Sequence, residues 1–359
     1  MAALLTSLLS RSVSGLRGLV FLKQRLSSRA APRQPPRWGL PSTRLYESAA
    51  SLYAHNDGNV TPVPLTNFSG PAFHIPPYIT PLPLETMNKH VLDSNIRFEE
   101  KGHKYYYEGK PMDRSVTALV DSFFGKFDAD DAIAKMKKGN NWPRAEYMTK
   151  GGKVWTDEQI KTSWDMTGEN ARNRGTYLHW NIERIVNGYA ACASDGLPEL
   201  KQFMDFYDEV VIPQKITPFR SEWRIAAPDL SLAGSVDFVG KEEGGDYVIM
   251  DWKRSKKLPT TLDNKYGKRG LPPVTHLDDC EGAKYSLQLN VYRYILQKYY
   301  GISVSKMILA SFHPSLSGYF MISVPVMEAE VEAILGLSPP GGKKSSSVPT
   351  TVPQKRPFV

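Results

Sequence analysis

The sequence predicts an α/β fold: a mixed central sheet flanked by helices, with a helical extension on the N-terminal side. Three observations carry this. A long helical text from Ala132 to Gly188 precedes three consecutive strand-like runs, PFRSEWRIA, LAGSVDFVG and YVIMDWKRS. A second helical text, SLQLNVYRYILQKYYG, separates those strands from a closing hairpin. The 359 residues suffice for a sizeable core, and no internal repeat breaks the order.

In order along the chain, residues 1–46 come first. They hold Arg11, Arg17, Lys23, Arg25, Arg29, Arg33, Arg37 and Arg44 and no acid. On a helical wheel Leu5, Leu8, Leu9, Leu16, Leu19 and Val20 share one face, while Arg11, Arg17 and Arg25 lie off it. An Arg-rich, Ser-rich, acid-free amphipathic start is expected to be a mitochondrial transit peptide, cleaved near Tyr46, which places the protein in the mitochondrial matrix. Its longest apolar run, GLVFL, is too short to span a bilayer, so no membrane insertion is expected. Residues 47–90 are proline-rich and read as an irregular lead-in.

The main domain is expected over 91–335. HKYYYEGKPM reads as a hairpin, and SVTALVDSFF opens a helix capped by Ser115. The helical text from Ala132 to Gly188 is broken by NNWPR and KGGK, and ELKQFMDFYDEVV is a further amphipathic helix. After the three strands comes a polar loop, LPTTLDNKYGKRGLPPVTHLDD, and then the helix ended by Gly301. KMILASFH and GYFMISVPV form the last hairpin. MEAEVEAIL starts a helix that stops at GLSPPGG, and residues 336–359 are a low-complexity tail expected to be disordered.

Composition narrows the function. The net charge of +8 suggests nucleic acid, but the body over 47–335 carries 33 basic against 37 acidic residues. Nucleic-acid binding must therefore come from local patches, because the field of the whole body does not favour it. Two cysteines, Cys192 and Cys280, cannot form a four-thiolate zinc or iron–sulfur site. They are also too few for a disulfide scaffold and fit a reducing compartment.

The end of the third strand carries the chemistry. Alternate strand residues share a face, so Asp251 and Lys253 point together, with Val248, Met250 and Trp252 on the opposite, buried face. The preceding strand offers Ser235, Asp237 and Val239 on one face, and the turn between is centred on Gly244. A hairpin symmetric about Gly244 sets Asp237 opposite Asp251. Directly opposed Cβ atoms are about 5 Å apart, so the two carboxylates need a cation or a shared proton. Hard oxygen donors suit Mg²⁺ or Mn²⁺. Lys253, one step beyond, is placed to orient or deprotonate a water. A one-residue slip would send the two acids to opposite faces. In RGTYLHWNIERIV, His179 lies about 100° from the Leu178, Ile182 and Ile185 stripe, one turn after Gly175, whose small size is expected to admit a neighbouring backbone. Gln288 and Tyr292 are four apart on one helix face. Alone, His179 reads as a surface histidine, and Gln288 with Tyr292 as a helix edge.

Taken together, Gly175 to His179 (GxxxH), Gly234 to Asp237 (G-x-V-D), Ile249 to Lys253 (I-x-D-x-K) and Gln288 to Tyr292 (Q-x-x-x-Y) resemble the RecB-like branch of the PD-(D/E)xK nucleases. The match covers roughly residues 170–300, and four motifs in order are more specific than any one. The resemblance implies a restriction-endonuclease-like core and a metal-dependent exonuclease acting on single-stranded DNA in mitochondrial DNA replication and repair. It implies His179, Asp237 and Asp251 as metal ligands, with the Trp252 carbonyl as a fourth. Asp237, Asp251 and Lys253 are then the catalytic set, with Gln288 and Tyr292 contacting substrate or shaping the site. The chain departs from relatives that carry four cluster cysteines or a fused helicase: GLSPPGGKKS has one residue too many for a phosphate-binding loop and follows no strand.

Phosphate contacts are expected from two basic stretches. One runs from Lys135, Lys137 and Lys138 through Lys161 to Arg172 and Arg174, interleaved with Trp142, Trp155 and Trp164, on which bases stack. The other is the loop from Arg254 through Lys256 and Lys257 to Arg269. About half of these residues are expected to be merely solvated charges and core tryptophans. A cover built from 132–174 over the entering strand would admit single strands and exclude duplex. The expected partners are single-stranded DNA and mitochondrial DNA replication proteins, with the protein a monomer. The competing readings are a structure-specific endonuclease, a non-catalytic DNA-binding protein on a nuclease fold, and an unrelated matrix metabolic enzyme. The mutually repelling acids argue against the second, and the lack of a Gly-rich cofactor loop against the third.

Overall fold

The computed structural model describes residues 82–337, apart from 190, 192–196, 263, 265 and 266. The expected transit peptide, most of the lead-in and nearly all of the tail lie outside the described residues. The lead-in is not irregular to its end: α1 (Pro83–Met87) opens with Pro at its first turn, where no N–H is needed. This segment is tied to the body, with Leu84 N–H donating to Asn187 Oδ1 at 3.0 Å and Asn88 Nδ2 to the Phe219 carbonyl at 2.9 Å.

A small antiparallel sheet follows, made of β1 (Ile96–Glu99), β2 (Lys104–Tyr107) and β3 (Lys110–Pro111), so the expected hairpin gains a strand on its N-terminal side. After β4 (Arg114–Ser115), α2 (Val116–Asp121) starts where expected, with Ser115 Oγ accepting from the Ala118 N–H. α3 (Ala129–Lys137) and the 30-residue α4 (Asp157–Val186) form the helical extension. A capping box between Thr156 and Gln159 fixes the start of α4. The tryptophans of this region pack on neighbours: Trp164 Nε1 donates to Tyr147 Oη at 3.0 Å, and Tyr147 lies 6.0 Å from both Trp142 and Trp155 by ring centroids. α5 (Pro198–Phe206) then leads to the main sheet.

That sheet contains β5 (Thr217–Ala227), β6 (Leu232–Lys241), β7 (Tyr247–Lys253), β8 (Val304–Ser311) and β9 (Phe320–Ser323), together with β4. β5–β6, β6–β7 and β8–β9 are antiparallel, whereas β7–β8 is parallel and bridged by α6 (Glu281–Tyr300), so the sheet is mixed as expected. α6 ends at Gly301, whose φ of +65° suits the left-handed cap. α7 (Glu328–Leu335) ends similarly at Gly336, with Leu337 N–H donating to the Glu332 carbonyl at 2.9 Å.

Helices cover both faces. On one face, α2, α6 and α7 pack Leu119, Val291, Ile295 and Val331 against Val239, Ile249 and Leu309. On the other, α4 and α5 pack Leu178, Ile182, Phe203 and Phe206 against Phe238, Val248, Met250 and Trp252. The face of β7 that carries Asp251 is therefore buried too, which the sequence reading assigned only to its opposite face. Five consecutive β7 residues are buried because both sheet faces are covered.

The register of β6 creates the site. β5 pairs along its whole length, from Leu232 to Lys241. β7 pairs only with Phe238–Lys241 and β4 only with Leu232 and Ala233. Because β5 already occupies one edge throughout, β7 and β4 share the other. Between them, residues 234–237 have no strand partner on that edge. Asp237 stands where β7 peels away.

Candidate metal centre

The observed β6–β7 pairs, Phe238↔Met250 to Lys241↔Tyr247, are symmetric about residue 244. Asp237 and Asp251 are the next pair in that register, and there the ladder stops. In its place, the Trp252 N–H donates to Asp237 Oδ2 at 2.7 Å. Asp251 is 3% exposed, and Lys253 Nζ lies 2.7 Å from its Oδ2, so both point to one side. Asp251 Oδ2 is thus a buried carboxylate oxygen whose charge is met by the Lys253 ammonium. Lys253 also sits 4.6 Å from the centroid of the Tyr285 ring.

α4 brings His179 to the same place. Its Nε2 is 3.0 Å from the Trp252 carbonyl oxygen, its Nδ1 is 3.1 Å from Glu222 Oε1, and Asp237 Oδ2 is 3.7 Å from Nδ1. Glu222 was missed in the sequence, because SEWRIA reads as an ordinary strand. It lies on β5 between the pairs Ser221↔Phe238 and Trp223↔Val236, which sets it beside Asp237. Three acids, Glu222, Asp237 and Asp251, thus stand abreast on three adjacent strands. Glu222 has φ of +42°, a left-handed backbone that costs a non-glycine residue about 1–3 kcal/mol and persists only where the surroundings enforce it. The one sequence signal that could have found it is its register: it is the single acid in β5.

Electrostatics follow from the crowding. Burial, then the Asp251 charge, raises the pKa of Asp237 well above the carboxylate range. Burial alone lowers that of His179, but the Asp237 charge and the Glu222 hydrogen bond outweigh it and hold the imidazole up at about 9. Burial likewise opposes the Lys253 charge, and Asp251 and Asp237 overcome it, so Lys253 is held firmly as a cation. Tyr105 from β2 is 7% exposed, and burial followed by the Glu222 charge raises its hydroxyl to about 12.

These residues fit a divalent cation. Ligand atoms of His179, Glu222 and Asp237 lie within 4.8 Å of one another, and Asp251 adds a buried carboxylate on the next strand. His179 Nε2 and the Trp252 carbonyl oxygen, 3.0 Å apart, add a nitrogen and a carbonyl oxygen that would complete such a donor set. Three carboxylates against one lysine leave an excess of two negative charges once the imidazole is neutral.

The other expected site residues divide. Gln288 and Tyr292 on α6 are buried, with Nε2 donating to Oη at 3.0 Å. A Cβ on Gly234 would meet Tyr292 Cε1 at 2.7 Å, so the glycine admits the ring behind the site. Shaping is the role this burial allows, not contact with solvent-borne substrate. Arg172 is exposed and Arg174 half-buried, about 10 and 8 Å before His179 along α4. Arg254 is not available to a phosphate: its Nε lies 2.7 Å from Glu199 Oε1 in an ion pair only 10% and 2% exposed. A buried Glu199 needs a cation more than the solvent does. Gly175 also differs from expectation. No atom lies within 4 Å of where its Cβ would be, so it leaves open space above His179 and admits no backbone. Much of the basic stretch is internally paired, Lys135 with Asp131, Lys137 with Asp157 and Lys161 with Asp130.

No family model matches the chain, and no curated protein does either. Two solved structures show a low-level likeness. SSO0001 is 15% identical over 50% of this chain and 65% of that one, with a TM-score of 0.24. The alkaline exonuclease LHK-Exo from Laribacter hongkongensis is 14% identical over 61% of this chain and 88% of that one, with a TM-score of 0.28. At those scores neither likeness decides the function of this chain. No helix among the described residues is long and apolar enough to cross a membrane.

Proposed function

We propose that the protein is a metal-dependent exonuclease that hydrolyses phosphodiester bonds of single-stranded DNA, a mitochondrial genome maintenance exonuclease of the RecB-like PD-(D/E)xK branch. The observation that carries this is the convergence of Asp237, Asp251, Lys253, His179 and the Trp252 carbonyl at the point where β7 leaves β6. The acid-free, Arg-rich leader supports work in the mitochondrial matrix, on replication and repair ends alongside mitochondrial DNA replication proteins. Nothing in the chemistry requires a second copy, and a monomer is the simplest form.

His179, Asp237, Asp251 and the Trp252 carbonyl would hold Mg²⁺ or Mn²⁺. Bound there, the cation supplies Lewis acidity toward water and toward a phosphoryl oxygen. Lys253, held protonated by two carboxylates, orients the attacking water and offsets charge on the phosphorus oxygens; the same charge makes it a poor base. Asp251 fixes the position of that ammonium group. Gln288 and Tyr292 hold the wall behind Gly234, and Arg172 and Arg174 lie along the helix that leads to His179, placed to meet the backbone of an approaching strand.

The test uses the full chain with end-labelled linear and closed circular single strands, in Mg²⁺, in Mn²⁺ and in EDTA. Metal-dependent digestion confined to linear strands is expected. Efficient cutting of circles would turn the reading toward an endonuclease. Tight DNA binding without cleavage in either metal would indicate a binding protein.

A further inference from the structure

We infer that Glu222 is the positioning residue of the metal centre: its carboxylate holds the Nδ1–H of His179, so that Nε2, beside the Trp252 carbonyl, is the nitrogen offered to the cation. The inference rests on the metal-dependent reading above and adds the residue that sets the orientation of the imidazole.

Asp251, on the β7 side of Asp237, has the Lys253 ammonium 2.7 Å from its Oδ2. Both Glu222 oxygens are engaged, Oε1 with His179 Nδ1 at 3.1 Å and Oε2 with Ser235 Oγ at 3.4 Å. The two outer acids thus differ in partner: Lys253 on the β7 side of Asp237, and the imidazole Nδ1 on the β5 side. The imidazole spans the two sides, with Nδ1 at Glu222 and Nε2 at the Trp252 carbonyl, 3.0 Å away. A histidine that binds a metal through one nitrogen ordinarily donates its other N–H to a carboxylate or carbonyl, which fixes both tautomer and ring plane. Glu222 satisfies that role from a left-handed backbone, the kind of outlier kept only where the surroundings require the side chain in one place. The competing assignment makes Glu222 a direct ligand together with Nδ1 and Asp237, whose atoms do lie within 4.8 Å. It spends a carboxylate that already has two partners and takes Nδ1 away from the contact it makes with Glu222.

The experiment titrates Mn²⁺ into the full chain, labelled with ¹⁵N at histidine, in wild type, Glu222→Gln, Glu222→Ala, His179→Ala and the Glu222→Ala/His179→Ala pair. Affinity is read by calorimetry, imidazole coupling to Mn²⁺ by pulsed EPR, and folding by the melting temperature in EDTA. In Glu222→Ala the affinity should fall about 10–100-fold and the nitrogen coupling should disappear. Glu222→Gln, whose amide oxygen still accepts from Nδ1–H, should lose less and keep the coupling. The double variant should bind no more weakly than His179→Ala, because the two residues act as one unit. Should Glu222→Ala prove misfolded, Glu222→Gln decides: a loss beyond about 100-fold with the coupling intact overturns the inference in favour of a direct ligand. So does a double variant that is weaker than His179→Ala. A wild type that takes up no Mn²⁺ overturns the metal-dependent reading instead.

Discussion

Arg220 and Glu222 lie two residues apart on β5, and each joins a buried charged cluster, yet the clusters are built on opposite plans. Around Arg220, which is 4% exposed, Asp93 Oδ2 accepts from Nη1 at 2.7 Å and from the His90 N–H at 2.8 Å. Asp93 Oδ1 accepts from Trp223 Nε1 at 2.8 Å, and the guanidinium stacks 4.6 Å from the centroid of the Trp223 ring. One cation meets one anion, and both carboxylate oxygens are satisfied. Around Glu222, three carboxylates face one lysine and one histidine, so negative charge is in excess. A neutral one-to-one pair ties the segment before β1 to the sheet, although Arg220 Nε is left without a hydrogen-bond partner. A cluster with surplus charge destabilises the metal-free fold, so its retention points to chemistry.

The sharpest separation should come from Asp93→Ala. It strands a buried guanidinium and should lower stability by about 3–5 kcal/mol, as denaturant unfolding would show, while the activity of each folded molecule is unchanged. Equal loss of activity at conditions where the variant is folded would mean that the two clusters are coupled. Asp251→Ala should do the reverse. Cleavage should fall by about 10²–10³-fold or more, the scale for one electrostatic contributor to a transition state. Its melting temperature in EDTA should stay near wild type, because one of the repelling acids has gone. Substantial residual cleavage would dismantle the site as described.

The pH dependence of the metal-free protein offers a smaller but signed test. The folded pKa of His179 is raised from 6.5 to about 9, so its contribution to stability is complete below 6.5 and lost as the pH rises through 9. Asp237, also raised, acts with the same sign at lower pH, since the folded state holds its proton longer. Calorimetry in EDTA should therefore show the melting temperature falling from pH 6.5 to 9, with a shallower fall in His179→Gln. A flat or rising profile would remove the electrostatic basis of the comparison. The smallest effect is expected far from both clusters. Replacing Lys135, Lys137 and Lys138 together should reduce the salt slope of single-strand binding by less than the about 0.7 per phosphate contact that three free lysines would give, because two of them already pair with Asp131 and Asp157. Turnover at saturating DNA should not change. A slope loss of about 2 would show that those ion pairs open for DNA.

Much of this was legible in the residues themselves. Local patterns specify their own elements: Ser115 caps α2, Gly301 stops α6, and alternation puts Asp251 and Lys253 on one face. Turn symmetry about Gly244 sets the β6–β7 register, because a hairpin has few ways to close. What no local pattern encodes is contact between residues remote in sequence. Glu222 meets His179 across 43 positions only because β5 pairs with β6 while α4 covers the sheet. Arg254 looks like any loop arginine until α5 delivers Glu199 to it, and the lysines of α3 look free until Asp131 and Asp157 claim them. Local sequence thus specifies the elements, their order and the strand pair that carries Asp237 and Asp251. Which charges are partnered is settled by packing, because partnership depends on burial and on which distant chain segments come within a few ångströms.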